Sequence, residues 1–307
     1  MGKFIKTCLI VGVICIVAGI AASSAGIFNG GLPKLKEEVL NGEWAIGENA
    51  TIAPFFELEK QHYFNEDAVV NVDMENVQDV FVAEDVYELH VKSAGVTVEF
   101  AEYDGEDILV EATKVHKYQA YLENGELYII ARGQSAKNLG SGIVKVIVPG
   151  IVYDEGYMDV DIESAASVVS FDRLEAADVE LNVSAGTIFW NDLTAQELSI
   201  EMAAGTVTGG NMTVTGESDI KVNAGTITIA GVLGTETVVE MAAGMVSMTL
   251  ADAETDYNYD ISCAGGSVTV GEEVAEGVAK TLEISNNAAK NIDVECSMGA
   301  VNIGFAN

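Results

Sequence analysis

The chain has 307 residues, with 15 Lys plus Arg against 48 Asp plus Glu, a formal charge of −33 that excludes a nucleic-acid binder, whose surface needs the opposite sign. Apolar residues make up 49% and mean hydropathy is +0.25, so this is not a disordered acidic tail and a core can be buried. With 31 Gly, only 3 Pro and recurrent Thr, Val and Ile, the composition reads as strands joined by tight corners.

Residues 1–29 stand apart from the rest. Lys3 and Lys6 precede an uncharged stretch from Thr7 to Asn29, almost wholly apolar between Leu9 and Ile20. About 20 residues of helix span a hydrocarbon core of about 30 Å, so this segment is expected to be a basic tail and transmembrane anchor. A cleaved signal peptide, with Ser23-Ser24-Ala25 as a poor cleavage site, is the competing reading. All acids follow residue 30, so the expected arrangement is single-pass in the plasma membrane with the C-terminal domain extracellular. Residues 30–85 are mixed and acidic, with a short helical pattern at Leu35–Leu40, and are expected to form a juxtamembrane spacer and an N-terminal cap.

From residue 86 strands dominate. Leu89 and Val91, then Val96, Val98 and Phe100, flank a degenerate corner at Ser93-Ala94-Gly95. Asn124-Gly125 predicts a hairpin with a type I′ turn, and Ile143–Val148 a further strand closed by Pro149-Gly150. A repeat then sets in, apolar-x-apolar-x-small-Gly-x-apolar-x-apolar, with corners at Gly186, Gly205, Gly225, Gly244, Gly266 and Gly299. An earlier copy has Ser167 at its corner. Successive corners are 19, 19, 20, 19, 22 and 33 residues apart, the last interval carrying an insertion near residues 271–290.

Each copy has two arms of period two, which place alternate side chains inside. The inward set is expected at positions −5, −3 and −1 before the glycine and +2 and +4 after it. Position −3 gives a core column of Val183, Met202, Val222, Met241, Cys263 and Cys296. One copy cannot bury enough apolar surface to offset the entropy of ordering itself, so copies must share a core. The expected fold is all-β, a β-solenoid of about 20-residue two-strand rungs; a meander folded into an antiparallel sandwich is the alternative. In-register stacking would make Cys263 and Cys296 neighbours, either as free buried thiols or bridged. The outward column at −4 reads Asn182, Glu201, Lys221, Glu240, Ser262, Glu295, with Lys221 relieving the charge between two glutamates.

The ordered set of features resembles the bacterial toast-rack family of β-strand repeats, a domain of unknown function with an adhesin-like label. The features are the basic tail and apolar segment, the Asn124-Gly125 hairpin, Val146-Ile-Val-Pro149 and the serial Ala-Gly-Thr corners. They continue with Asp256-Tyr-Asn-Tyr259 and the terminal Cys296-Ser-Met-Gly299-Ala-Val-Asn-Ile303. The resemblance covers about residues 86–307. It implies a stacked β fold on the outer face of the membrane, beside envelope-stress regulators in some members, and supplies no catalytic residues.

Motifs of chemistry are absent from the sequence: there is no His-Glu-x-x-His, Gly-x-Ser-x-Gly, Gly-x-Gly-x-x-Gly or Walker pattern. His62, His90 and His116 lie outside the regular array with no partner spacing and read as structural or surface residues. No cofactor, metal or catalytic group is expected. Residues 150–307 hold 26 acids against Arg173, Lys221, Lys280 and Lys290, a balance of −22. The expected role is a non-enzymatic surface scaffold, with Glu201 and Glu240 as the outward carboxylates and cationic ligands or envelope components as partners. Envelope-stress sensing and a glycan-active β-helix enzyme are the rival readings.

Overall fold

The computed structural model describes residues 64–65, 67–133, 142–150, 158–276 and 279–306. The expected anchor at 1–29, the helical pattern at Leu35–Leu40, and His62 all lie outside the described residues. Among the described residues no helix is long and apolar enough to cross a membrane.

The repeats stack as parallel rungs in register. Val207 sits opposite Ile188 on one side and Ile227 on the other; Ile227 faces Val246, and Val246 faces Val301. All five are fully buried. A second column runs Ile200, Ile220, Val239, Val294 and Ile261, also fully buried, on the arm before the glycine. Positions −5, −3, +2 and +4 therefore build the core. Position −1 does not: Ala185, Ala204 and Ala243 are half-buried and Ala224 is exposed. The chain is already turning there, which breaks the strict alternation of a strand. Two neighbouring rungs also run on into a short third wall, where Leu193 faces Met212 and Ala195 faces Val214. The two-strand rung expected from the sequence is thus incomplete.

The corner glycines form a column of their own. A Cβ on Gly205 would lie 2.5 Å from the Gly186 carbonyl oxygen, and one on Gly244 would lie 2.4 Å from that of Gly225. The same clash recurs from Gly299 onto Gly244 (2.4 Å) and from Gly266 onto Gly299 (2.4 Å). Gly205 and Gly244 adopt φ of 137° and 136°, a region closed to most L-residues. Close approach is what lets the ladder continue through the bend: Thr226 N donates to Gly205 O at 3.0 Å and Ser267 N to Gly299 O at 2.9 Å. One rung compensates a missing side chain at +4. Gly209 stands there, and a Cβ on it would lie 2.1 Å from Trp190 Cε2, because the indole of the preceding rung fills its place. That indole stacks in turn on Phe171, with ring centroids 5.6 Å apart.

Rung order departs from chain order at both ends. Tyr257–Cys263 and Ser267–Val270 do not follow Glu236–Leu250; instead Lys290–Cys296 and Ala300–Phe305 lie against that strand, and the 257–270 rung sits outside them. At the other end Glu88–Ala94 and Thr97–Tyr103 lie between the start of Asp159–Met202 and the outer pair Glu126–Arg132 and Ile143–Pro149. Antiparallel hairpins explain both exchanges. Glu273–Glu276 and Lys280–Ile284 fold back on the 257–270 rung, and Asp107–Thr113 and Lys117–Glu123 on the 126–149 rung. An edge occupied by an antiparallel partner cannot extend a parallel stack, so the hairpin-bearing rung becomes terminal and the other slots in beside the array. The Asn124-Gly125 turn has φ of 54° and 91°, the two positive values of type I′. Asn76–Val82 covers the outer edge of Asp107–Thr113.

The core column therefore reads Val183, Met202, Val222, Met241, Cys296, Cys263, with the cysteines adjacent but exchanged relative to the sequence order. Both are free buried thiols. Burial, reinforced by Cys263, pushes the Cys296 thiol up to about 11.

Two outcomes are expected. Gly244→Val puts a branched side chain against the Gly225 carbonyl and is expected to cost at least about 2 kcal/mol in thermal or urea unfolding; the exposed Ala242→Ser serves as a near-neutral reference. Equal stability of the two variants would remove the glycine column as a constraint. Cys263 and Cys296 are expected to resist a thiol reagent at pH 8 in the folded protein and to react once it is unfolded, as followed by mass spectrometry.

Candidate functional site

Two outward faces gather charged and polar side chains. The first is the −4 column. The alternation that buries −5 and −3 turns −4 outward, and the observed register runs Glu201, Lys221, Glu240, Glu295, Ser262. The sequence expectation had Ser262 between Glu240 and Glu295; the exchanged end rungs instead make these two glutamates direct neighbours. Lys221 does lie between Glu201 and Glu240, but its ammonium pairs with Asp219 Oδ2 at 2.5 Å on its own strand. Asp219, with smaller contributions from Glu240 and Glu201, holds the lysine above its ordinary value. A shallow pocket of about 240 Å³ opens here, lined by Glu201, Lys221, Asn223, Glu240, Glu295 and Ser297 among others. The carboxylate field continues along the next outward row, where Asp293, Asp260 and Glu283 face one another in register. Lys290, another of the few bases in this half, is held by Asp252 at 2.6 Å, which lowers the Asp252 carboxyl.

The second face lies at the opposite end of the stack and brings together residues from three strands far apart in the chain. Three strands align Glu126, Glu88 and Asp159 in one outward row and Tyr128, His90 and Asp161 in the next. His90 is the centre. Its Nδ1 lies 3.2 Å from Asp161 Oδ2, and its Nε2 lies 3.2 Å from Glu88 Oε1 and 3.7 Å from Glu126 Oε2. The imidazole stacks on Tyr128 with centroids 4.5 Å apart and planes 12° from parallel, and Tyr128 stacks on Tyr121 at 5.0 Å. Tyr128 O–H donates to Glu126 Oε2, and this bond, followed by burial, keeps the phenol protonated far above its ordinary value. Burial raises the Asp161 carboxyl against the opposing pull of His90. Only 14% of the His90 side chain is exposed, and its Nε2, fully buried, makes no hydrogen bond.

One signal for this cluster exists in the sequence: Glu88-Leu-His-Val91 and Glu126-Leu-Tyr-Ile129 are copies of one short alternating pattern. His116 is placed elsewhere, with Nδ1 2.7 Å from Asp73 Oδ1. The corner glycines and the −3 column are scaffold, and Glu201 and Glu240 are brought to one face. The described residues present no nucleophile paired with a base among these groups.

The toastrack DUF4097 family matches residues 86–244 and again 156–304. No curated protein matches the chain. Among solved structures, an adhesin candidate from Bacteroides fragilis is 10% identical, with 75% of this chain and 97% of that one covered and a TM-score of 0.40. A candidate cell adhesion protein from Clostridium sporogenes is 12% identical, with 76% and 99% covered and a TM-score of 0.34. A candidate lipid binding protein from Parabacteroides distasonis is 13% identical, with 77% and 98% covered and a TM-score of 0.41. The stacked repeats and the double family match across residues 86–304 establish that this chain belongs to the toastrack DUF4097 family.

Proposed function

We propose that the protein is a non-enzymatic, adhesin-like scaffold of the cell surface that presents a rigid acidic face to cationic ligands or envelope components. The apolar segment at 1–29 holds it in the plasma membrane by a single pass, with the repeat domain outside. The observation that carries the reading is the adjacency of Glu240 and Glu295, in register and next to Glu201 and Lys221. Two carboxylates facing each other across neighbouring strands repel. A cationic group placed over them relieves that repulsion, and the shallow pocket beside them gives it room. The stack holds these carboxylates on a framework with a continuous core, so binding them costs little ordering entropy.

The binding is electrostatic, and salt screens it. The full chain titrated with a lysine-rich peptide is expected to lose about tenfold or more in affinity between about 10 mM and about 150 mM salt, as the Debye length falls from about 30 Å to about 8 Å. Glu240→Gln combined with Glu295→Gln is expected to weaken binding severalfold at low salt without altering thermal stability. Affinity that ignores both salt and this double substitution would overturn the proposal.

A further inference from the structure

We propose that Glu88, His90 and Glu126 form a binding site for a divalent transition metal of the Zn²⁺ class, bridging the two rungs at the N-terminal end of the stack. The site is separate from the acidic face described above and does not depend on its function.

The donor set carries the argument. One imidazole nitrogen and two carboxylate oxygens lie within 4.8 Å of one another, contributed by two strands that are parallel and in register. A tetrahedral ion with bonds of about 2.0–2.1 Å separates its ligand atoms by about 3.3 Å. Here Nε2 lies 3.2 Å from Glu88 Oε1 and 3.7 Å from Glu126 Oε2, on either side of that value. Both nitrogen–oxygen separations thus stand close to what an ion would require, and the two carboxylate oxygens lie within 4.8 Å of each other.

The surrounding groups fit a metal ligand better than a surface histidine. Asp161 engages Nδ1, which fixes the tautomer and turns the Nε2 lone pair toward the carboxylates. Tyr128 stacks on the ring and holds its plane, while its hydroxyl orients the Glu126 carboxylate. Ligand histidines and carboxylates in metal sites are supported in this way by outer partners. Meanwhile Nε2 is buried and without a hydrogen bond, a state that costs free energy unless something satisfies it. The side chains of Glu88 and Glu126 are 37% and 41% exposed, so the carboxylates are reached from solvent.

The chemistry selects the class of ion. Imidazole favours Zn²⁺ and its transition-metal neighbours, whereas Ca²⁺ and Mg²⁺ seek six or more oxygens, which three ligands here do not supply. Two carboxylates balance the ion's charge. The bound metal would tie strand Glu88–Ala94 to strand Glu126–Arg132 across the exchanged end of the stack.

The test is calorimetric titration of Zn²⁺ into the metal-stripped full chain, in excess Mg²⁺ to occupy the general acidic surface. One equivalent is expected to bind, with affinity reduced about tenfold or more in His90→Gln and in Glu126→Gln, and Co²⁺ is expected to give the visible absorption of a tetrahedral site that both substitutions abolish. Far-UV circular dichroism verifies folding; should His90→Gln fail to fold, the more exposed Glu126→Gln and the Co²⁺ spectrum decide. Absence of stoichiometric binding overturns the proposal. Binding that persists unchanged in folded Glu126→Gln overturns it equally.

Discussion

The contact on which the rest depends is the approach of each corner glycine to the carbonyl of the corner residue in the neighbouring rung. Adjacent strands sit about 4.8 Å apart only where nothing intrudes between the backbones. At a sharp bend an inward Cβ would intrude, and it would lie only 2.4–2.8 Å from the neighbouring carbonyl oxygen, which leaves no room for one. With glycine in the column the ladder passes through the bend unbroken, and both arms of every rung stay in register. Register in turn decides which side chains meet: the columns of Ile188, Val207, Ile227 and Val246 inside, and of Glu201, Lys221 and Glu240 outside.

A stack of parallel rungs has two ends, and each end exposes unpaired backbone. Both ends here use the same device. A hairpin folds back antiparallel on the outermost rung, and a rung from elsewhere in the chain enters between it and the array. The consequence reaches the surface chemistry. At the C-terminal end the exchange puts Glu295 beside Glu240 and Cys296 beside Met241. At the N-terminal end it puts His90 between Tyr128 and Asp161, two residues separated from it by 38 and 71 positions. The candidate sites are therefore products of the end exchanges more than of the repeat itself.

This explains what the sequence disclosed. Period-two alternation around a recurrent glycine is a local signal repeated many times, so the rungs, the glycine column and the inward positions −5, −3, +2 and +4 could be read directly. The partly exposed alanines at −1 could not, because alternation fails where the chain bends. Rung order was hidden for a different reason. It depends on which strand edge a hairpin occupies, and the insertion near residues 271–290 announces an irregularity without saying where the next rung goes. The His90 cluster was hidden too, since Glu88-Leu-His and Glu126-Leu-Tyr are only two copies and their alignment follows from the same exchange.

Cross-linking on the outward face tests the stacking and its order together. Ser247 is in register with Asn302, and Asn302 with Thr269, so Ser247 and Thr269 are two rungs apart although their rungs are consecutive in the chain. Disulfides tolerate Cα separations of about 4.4–6.8 Å, which one strand spacing satisfies and two exceed. Under mild oxidation, Ser247→Cys with Asn302→Cys should join, as peptide mass spectrometry would record, and Ser247→Cys with Thr269→Cys should not. The reverse pattern, or no cross-link in either pair, would contradict the stack described here.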